Sequence, residues 1–549
     1  MWQRAESCLS LATGGVGITV SDPMNATPRL TIYDTTLRDG TQGTGISFSV
    51  GDKIRVAERL DEFGVHYIEG GWPGSNPKDA TFFEEAAKRS WKQARISAFG
   101  MTRKGKVRVE EDAQVAKLLA AETPAITIVG KTWPLHVLEV FQVSLDENLA
   151  MIRDTVAYLK AHGREVLYDA EHFFDSFRED PEYSLATIRA AVEAGASLAV
   201  LCDTNGGSLP EWVRDVTAKA VSAVGPVGIH THNDSGLAVA NALAAVGVGA
   251  CQVQGTINGY GERVGNCDLV TMMPNLQLKL GVPLGLDLTK LRELSHFVDG
   301  LANVPHNIRA PYVGSAAFTH KGGLHVHAVQ KLARTYEHVD PALVGNERNI
   351  TISDMSGQSN VLARAAGLGF DFAKGSAEVG VVLSEVKRLE SEGYEFEAAE
   401  ASFALLISGI LGARRPLFEL DEYHCSYRTS GDGVWNKCEA TVKIRIEGRM
   451  EYTVAEGDGP VNALDAALRK ALRGAYPEID AVLLRDYKVR IINGQAGTAA
   501  RTRVLIESAD TRGEWGTVGV SDNIIAASWR ALVDSLEYGV GRARGVSAR

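Results

Sequence analysis

Residues 166–202 read VLYDAEHFFDSFREDPEYSLATIRAAVEAGASLAVLC, and this stretch carries the repeating unit that decides the fold. Val166–Ala170 is a short apolar run typical of a buried strand, and Leu198–Cys202 is a second one. Between them, Ser184–Ala194 has apolar residues at helical spacing and is followed by Gly195, a residue type that favours the C-terminal end of a helix. The stretch therefore predicts a strand, a helix and a second strand, the unit from which parallel sheets are built.

The same unit recurs through residues 29–300, where strand-like runs follow one another at intervals of roughly 25 to 40 residues. Alternating units of this length favour a closed TIM-type (β/α)₈ barrel, and an open doubly wound sheet is the structural alternative. The eight runs are Leu30–Tyr33, His66–Glu69, Arg95–Phe99, Ala125–Val129, Val166–Ala170, Leu198–Cys202, Val227–His230 and Cys251–Ile257.

The alternation stops after residue 300. Residues 301–415 contain two helical patterns, Ser376–Ser391 and Glu397–Leu411, and a loop rich in His and Gly. We interpret residues 301–415 as a helical lid or linker region that ends in the linker-like stretch Arg414–Pro416. Residues 1–28 are interpreted as an N-terminal extension without a convincing signal or transit peptide, in which Met24 is an alternative start.

Strand patterns return in residues 416–549, as two copies of a hairpin followed by a helix. The repeat predicts an α+β domain with internal pseudo-symmetry. Modules of this kind bind effectors or dimerise, and a packing role is the alternative. The expected strands are Lys437–Glu447, Met450–Ala455, Arg501–Ser508 and Glu514–Val520, and the expected helices are Val461–Leu472 and Asn523–Leu536.

The composition excludes several classes of partner. The net charge is −11 and no stripe of Lys or Arg is present, which argues against nucleic acid or an anionic membrane as a partner. The longest apolar runs, such as Ala190–Leu201, are interrupted and too short to cross a bilayer. Six cysteines without a CxxC pair indicate reduced thiols in a cytoplasmic protein.

Three polar clusters follow predicted strands one, seven and eight: residues 34–42 (DTTLRDGTQ), 230–234 (HTHND) and 258–266 (NGYGERVGN). In a TIM barrel the C-terminal ends of the strands face the active site, so the clusters should converge there. The third cluster is rich in glycine. It lacks the G-x-G-x-x-G spacing that leads into a helix, so we interpret it as a barrel-mouth loop and not as a nucleotide-binding loop.

His230 and His232 project to the same side of a strand, where two imidazoles can chelate one divalent cation. The alternative is a pair of polar histidines at the barrel mouth. An Asp at the end of the first strand, together with open positions for substrate, favours a catalytic metal. Mixed nitrogen and oxygen ligands admit Mn, Mg, Co or Zn. Arg38 beside such a cation suits a carbonyl oxygen that gains negative charge, and a surface ion pair is its alternative role.

These three strings resemble the signatures of the DRE-TIM metallolyase family, which includes the isopropylmalate, homocitrate and citramalate synthases. Residues 322–325 (GGLH) resemble the loop that carries the catalytic histidine of these synthases, and residues 416–540 resemble their C-terminal regulatory domain. The resemblance thus covers nearly the whole chain. It implies the condensation of acetyl-CoA, as co-substrate, with a 2-oxo acid.

The resemblance also implies roles for individual residues. Asp39, His230 and His232 bind the divalent metal, and Asn266 completes or supports the site. Arg38 is catalytic and binds the substrate, because it orients and polarises the keto group.

The remaining implied roles fall outside the metal cluster. Thr204 holds the carboxylate of the oxo acid. Glu171 belongs to the catalytic machinery, and an ion pair with Arg38 is its alternative role. His325 is the catalytic base and serves the active site of a partner subunit, so a homodimer or higher oligomer is expected. Tyr336 binds substrate on the same lid. The family places Asp two residues after this histidine, where the present chain has His327.

Residues 67–76 (YIEGGWPGSN) and 169–175 (DAEHFFD) resemble the citramalate-synthase branch, whose oxo acid is pyruvate. Phe99 and Trp133 are candidates for the residues that close the pocket. The alternatives are another 2-oxo acid, giving isopropylmalate or homocitrate, a lyase that runs the reaction in reverse, and a non-catalytic amino-acid sensor. If the branch is right, isoleucine is the expected effector of the C-terminal domain.

Overall fold

The computed structural model describes residues 30–350, 358–370, 372–373, 376–429, 431, 436–492 and 494–545. The chain divides into two compact units. The first comprises Met1–Asn307 and Pro311–Val313, and the second comprises Ile308–Ala310 and Gly314–Arg549. The extension predicted over residues 1–28, including Met24, lies outside the described residues.

Eight parallel strands form a closed barrel in the first unit, which confirms the predicted TIM-type fold. Each strand pairs with the next one along the chain. The barrel closes where the first and last strands pair, with Thr31 opposite Gln252, so the open-sheet alternative is wrong. The strands are β1 Thr31–Asp34, β2 Tyr67–Gly71, β3 Arg95–Met101, β4 Ala125–Lys131, β5 Glu165–Glu171, β6 Leu198–Asp203, β7 Val227–Thr231 and β8 Ala250–Gly255.

Helices follow the strands, and those that connect successive strands pack against the barrel. The first helix begins with a capping box in which Ser49 and Asp52 bond to each other's backbone, and it ends at Gly64 in a left-handed conformation. The helices of this unit are α1 Val50–Phe63, α2 Pro77–Ala87, α3 Ala113–Ala120, α4 Leu145–Ala161, α5 Phe173–Glu179, α6 Pro181–Glu193, α7 Pro210–Val224, α8 Ala238–Val246, α9 Leu269–Pro274 and α10 Leu291–Ala302, with π-helical turns at His136–Val140 and Asn275–Lys279.

The second unit begins with a helical region, as predicted for the chain beyond the barrel. The loop rich in His and Gly proves to contain a nine-residue helix, which its two glycines concealed in the sequence. A two-residue parallel ladder, β9 Thr319–His320 with β10 Asn349–Ile350, lies in the same region. The helices are α11 Gly323–Lys331, α12 Gln358–Gly367, α13 Ala377–Ser391 and α14 Glu400–Ile410.

Two antiparallel sheets, each followed by a long helix, complete the second unit. The internal repeat is present, but each copy has three strands instead of the predicted two. The missed strands are edge strands whose side chains are mostly exposed, so they lack the alternation that marks a half-buried strand. The elements are β11 Glu419–Thr429, β12 Asn436–Ile446, β13 Arg449–Gly457, α15 Pro460–Leu472, β14 Leu483–Ile491, β15 Thr502–Asp510, β16 Gly513–Ser521 and α16 Ile524–Ala543.

Residues predicted as a linker are fixed within the second unit. The Arg414 guanidinium donates hydrogen bonds to both Asp534 and Glu537 of α16, at 2.8 to 3.0 Å. In the helical region, Phe403 and Ile407 of α14 share an apolar core with Val518 of β16. Among the described helices, none is long and apolar enough to cross a membrane.

Candidate functional site

A cavity of about 270 Å³ opens at the C-terminal ends of the barrel strands, where a TIM barrel carries its active site. The six site residues predicted from strands one, five, six and seven all line it: Arg38, Asp39, Glu171, Thr204, His230 and His232. The lining residues on β3, on β4 and directly after β2 form a mainly apolar wall, whereas those on and directly after β5 to β7 are mainly polar. The remaining lining residues are Gln42, Trp72, Phe99, Met101, Val129, Lys131, Asp169, Cys202, Glu262 and Arg263.

Asp39, His230 and His232 form a compact, buried cluster in this cavity. The Nε2 atom of His230 lies 3.2 Å from Asp39 Oδ2 and 3.4 Å from His232 Nε2. One ligand atom from each residue falls within 4.8 Å of the others. Two imidazole nitrogens this close need a proton or a cation between their lone pairs, and the carboxylate adds negative charge. The donor set therefore fits one divalent cation.

Asn266 adds an oxygen to the cluster. Its Nδ2 donates to Asp39 Oδ2 at 2.8 Å, while its buried Oδ1 has no hydrogen-bond partner. An antiparallel bridge pairs its backbone with that of His232. A buried acceptor without a donor costs free energy unless a ligand satisfies it, so Asn266 fits the completing or supporting role.

The glycine-rich segment before Asn266 folds back closely on itself. Gly261 has φ +151°, and a Cβ there would lie 3.0 Å from Asn266 Oδ1. Gly265 has φ +98°, and its Cβ would meet the carbonyl oxygen of Gly259 at 1.8 Å. Only glycine fits either position. The glycines therefore shape a loop, as the sequence predicted, and this loop presents Asn266.

Burial and neighbouring charges set the protonation of the cluster. Burial would raise the pKa of Asp39, but the Arg38 guanidinium and the hydrogen bond from His230 outweigh it and lower that pKa. For His230, burial would lower the pKa, and the hydrogen bond to Asp39 raises it. Burial and the charge of His230 lower the pKa of His232 to about 3. Asp39 is thus ionised and His232 neutral near pH 7, the states that a metal ligand requires.

Thr204 lies at the polar side of the cavity, held by its neighbours. Its hydroxyl accepts a hydrogen bond from the backbone N–H of His172 at 2.9 Å. Its carbonyl accepts one from the guanidinium of Arg263 at 2.7 Å, and Arg263 also binds the carboxylate of Asp234. Both His172 and Arg263 adopt positive φ, at +56° and +59°. Strained backbone of this kind clusters at functional sites.

His325 and Tyr336 lie in the second unit, on α11 and just after it. Their rings stack with centroids 4.2 Å apart, and both side chains are exposed. In the same region, the buried carboxylate of Glu337 receives hydrogen bonds from His320 and Arg348. The roles implied for His325 and Tyr336 stay predictions.

Three family models match successive parts of the chain. Residues 29–298 match the HMGL-like model, residues 312–393 match the homocitrate synthase post-HMGL domain-like model, and residues 397–540 match the LeuA allosteric (dimerisation) domain. The chain is 52% identical to an (R)-citramalate synthase of Aquifex aeolicus over 511 residues, 92% of this chain and 97% of the relative. This chain belongs to the citramalate synthase family. The resemblance stated from the three polar strings is confirmed.

Other relatives agree with this placement in the citramalate synthase family. An (R)-citramalate synthase of Streptomyces coelicolor is 47% identical over 519 residues, covering 93% of this chain and 97% of the relative. A probable 2-isopropylmalate synthase of Methanopyrus kandleri is 32% identical over 513 residues, covering 92% and 97% respectively. The matches extend through the C-terminal domain, which the lyase alternative does not explain.

Within this member of the citramalate synthase family, the structure adds site residues that the sequence did not single out. Glu69 accepts a hydrogen bond from Arg38 Nε at 2.6 Å, so it takes the ion-pair role considered for Glu171. Glu171 instead pairs with Lys131, the residue opposite it in the β4–β5 ladder. Glu69 stands within a string quoted for its resemblance, but no spacing rule linked it to Arg38.

Of the two residues predicted to close the pocket, Phe99 lines the cavity and Trp133 does not. Phe99 lies in the cavity wall, with its ring centroid 3.8 Å from the guanidinium carbon of Arg38 and its ring in a T-shaped contact with that of Trp72. Trp133 is not among the lining residues, and it packs against His136 and His172. Trp72, which comes directly after β2, lines the cavity instead.

Proposed function

We propose that the chain is an (R)-citramalate synthase that condenses acetyl-CoA with pyruvate and hydrolyses the thioester to release CoA. The observation that carries the proposal is the 52% identity to an (R)-citramalate synthase over 97% of that protein's length. The cluster of Asp39, His230 and His232 facing the same cavity as Arg38 supplies the chemistry. The alternatives, isopropylmalate or homocitrate synthesis from another 2-oxo acid, share this cluster and differ in substrate.

The barrel residues prepare the oxo acid for attack. A bound divalent cation supplies positive charge that makes the keto carbon electrophilic, and Asp39, His230, His232 and Asn266 would hold it. Arg38 orients the keto group and stabilises the negative charge that develops on its oxygen. Thr204 binds the carboxylate of pyruvate through its hydroxyl.

His325 removes a proton from the methyl group of acetyl-CoA. The enolate carbon then forms a bond to C2 of pyruvate, and the keto oxygen becomes an alkoxide that takes up a proton. Water attacks the thioester carbonyl, the carbon–sulfur bond breaks, and CoA leaves as a thiol. A well-placed base contributes about 10²–10⁴-fold to such a reaction. Glu171 and Tyr336 complete the catalytic and substrate-binding groups in this proposal.

The cation is Mn, Mg, Co or Zn. Its two imidazole ligands favour a transition metal, and its carboxylate and amide oxygens admit magnesium. Protein treated with EDTA should lose activity, and each metal should then be added back separately to compare kcat. Full activity after EDTA treatment and dialysis would contradict the metal site.

The C-terminal domain supports an oligomeric, regulated enzyme. Residues 397–540 match a domain described as allosteric and dimerising. We propose a cytoplasmic homodimer or higher oligomer in which isoleucine inhibits the reaction from this domain. Light scattering should give at least twice the 59.0 kDa chain mass. Millimolar isoleucine, with leucine and valine as comparisons, should lower turnover selectively.

The deciding experiment compares substrates. CoA thiol release is followed with pyruvate, 2-oxoisovalerate and 2-oxoglutarate in parallel, and the product from pyruvate is resolved by chiral chromatography. We expect pyruvate to have the highest kcat/KM and (R)-citramalate to be the product. A higher kcat/KM for either larger oxo acid would overturn the assignment, and release of CoA without an added oxo acid would show thioesterase activity instead.

A further inference from the structure

Gln254 lies directly beside one of the candidate metal ligands. It is opposite His230 in the ladder between β7 and β8, and it is fully buried. Its Oε1 is 2.9 Å from Nδ1 of His230. Its Nε2 is 3.2 Å from Oδ1 of Asp169 and 3.4 Å from Oε1 of Gln252. One amide thus joins the histidine to two acceptor groups inside the barrel.

These neighbours fix which way the amide points. The NH₂ group of Gln254, which only donates, is directed at the oxygens of Asp169 and Gln252. The carbonyl oxygen of Gln254 then faces His230. An oxygen acceptor at 2.9 Å requires that Nδ1 of His230 carries the hydrogen and donates it.

The tautomer of His230 follows from this contact. With the hydrogen on Nδ1, the lone pair of the neutral ring is on Nε2. Nε2 is the atom that lies 3.2 Å from Asp39 and 3.4 Å from His232. A partner on the far nitrogen of a metal-binding histidine fixes its tautomer and ring orientation, and its loss lowers metal affinity by about 10–100-fold.

We propose that Gln254 is a positioning residue that holds His230 in the tautomer able to bind the divalent cation. The inference rests on the proposed function, since it takes the Asp39, His230 and His232 cluster as a cation site. Gln254 is not among the residues that line the cavity, so it acts through His230 and not on the substrate.

The barrel offers a matched control for buried glutamine. Gln252 lies two residues earlier on the same strand and is equally buried. It contacts Thr31 and Gln254, and none of its recorded hydrogen bonds reaches a candidate metal ligand. Replacing Gln252 removes a buried amide from this strand but keeps the contacts of Gln254 with His230 and Asp169.

Mn²⁺ binding to the full-length protein tests the proposal, with free Mn²⁺ measured by electron paramagnetic resonance. Gln254→Met keeps the length of the side chain but has no oxygen acceptor, and we expect its Kd to rise by about 10–100-fold. Gln252→Met should stay within about threefold of the wild type. Thermal unfolding in EDTA checks that each variant is folded. If Gln254→Met does not fold, Gln254→Ala is measured in its place.

The outcomes separate this inference from the proposed function. Wild-type affinity in the folded Gln254→Met or Gln254→Ala protein would overturn the positioning role and leave the cation site in place. Equal weakening in Gln254→Met and Gln252→Met would assign the effect to packing and also overturn the positioning role. A wild-type protein that binds no Mn²⁺, Mg²⁺, Co²⁺ or Zn²⁺ would overturn the proposed metal site and this inference together.

Discussion

The Nε atom of Arg38 lies 2.6 Å from Oε1 of Glu69, so a carboxylate from the second strand orients the guanidinium at the mouth of the barrel. Glu69 is fully buried and also accepts hydrogen bonds from the hydroxyls of Tyr33 and Thr35, both at 2.6 Å. The carboxylate therefore has little freedom to move. Glu69 therefore fixes the position from which Arg38 contacts the keto group of the substrate in the proposed mechanism.

Glu69→Gln should lower kcat more than it changes KM. The amide keeps the size of the side chain but removes the charge that anchors Arg38, and misplacing one charged group in an active site costs about 10²-fold. Steady-state kinetics with pyruvate measure the effect. Glu165→Gln is the matched control, because Glu165 pairs with Arg95 at the start of its strand, away from the cavity. Equal losses in both variants would show a general effect of removing barrel carboxylates.

Phe99→Ala should relax the choice of oxo acid. The Phe99 ring forms part of the apolar wall and covers one face of Arg38, so its loss leaves room for a larger substituent. One methylene group is worth about 1–3 kcal/mol in such a pocket, so the preference for pyruvate over 2-oxoisovalerate should fall by at least about tenfold. The ratio of the two kcat/KM values measures it. Trp133→Ala, outside the wall, should leave the ratio unchanged.

His325→Ala should lower kcat by at least about 10²-fold while leaving Mn²⁺ binding unchanged, because the base acts on acetyl-CoA and not on the cation. Turnover and Mn²⁺ affinity are measured on the same preparation. His338→Ala is the control on the same segment, where His338 is exposed and stacks against Phe318. Unchanged turnover in His325→Ala would remove His325 from the base role.

The barrel could be predicted because each repeating unit contains a short apolar strand run and a stretch with apolar residues at helical spacing. The apolar runs and helical patterns are local features, and the HTHND string shows by itself that two imidazoles share a side of a strand. Contacts between side chains on neighbouring strands leave no such mark. Arg38 and Glu69 are 31 residues apart, and His230 and Gln254 are 24 apart, so their contacts depend on the register of the β1–β2 and β7–β8 pairs, which no local pattern gives.

The C-terminal domain was predicted less completely, for a physical reason. In the central strand of each sheet, buried side chains alternate with more accessible ones, whereas β11 and β14 stand at an edge with most side chains exposed. Edge strands need little apolar patterning, so their sequences read as loops. The contacts of Arg414 with α16 could not be predicted either, since two basic residues followed by a proline, as in residues 414–416, are typical of a linker.

Arg263→Lys should raise the KM for pyruvate more than it lowers kcat. Arg263 holds Asp234 through two hydrogen bonds and donates a third to the carbonyl of Thr204, and a lysine cannot reproduce this fork. We expect a rise in KM of roughly tenfold, the equivalent of about 1.4 kcal/mol, because Thr204 binds the pyruvate carboxylate in the proposed mechanism. Pyruvate saturation curves measure it. A matched surface change, Arg214→Lys, should have no effect, because Arg214 is exposed and contacts only its neighbour Asp215 among the described ion pairs.

Asp34→Asn should stabilise the protein at alkaline pH. Asp34 is fully buried at the end of β1, and burial raises its pKa to about 7. Hydrogen bonds from Thr36 oppose this rise in pKa, and the charge of Glu69 adds to it. In the unfolded chain an Asp titrates near pH 3.9, so the folded state binds this proton more tightly. The contribution of this proton to the free energy of unfolding is fully present below about pH 4 and is lost as the pH rises through about 7.

Asn carries no charge at any of these pH values, so the variant escapes this loss and shares every other titrating group with the wild type. Its apparent melting temperature should exceed that of the wild type at pH 8, and the difference should shrink towards pH 5. The corresponding change in the free energy of unfolding is at most about 2–3 kcal/mol over this range. Thermal unfolding at one-unit pH steps, in EDTA, measures the difference. A gap between the two proteins that is constant with pH would show that the Asp34 carboxyl does not titrate between the folded and unfolded states as its burial requires.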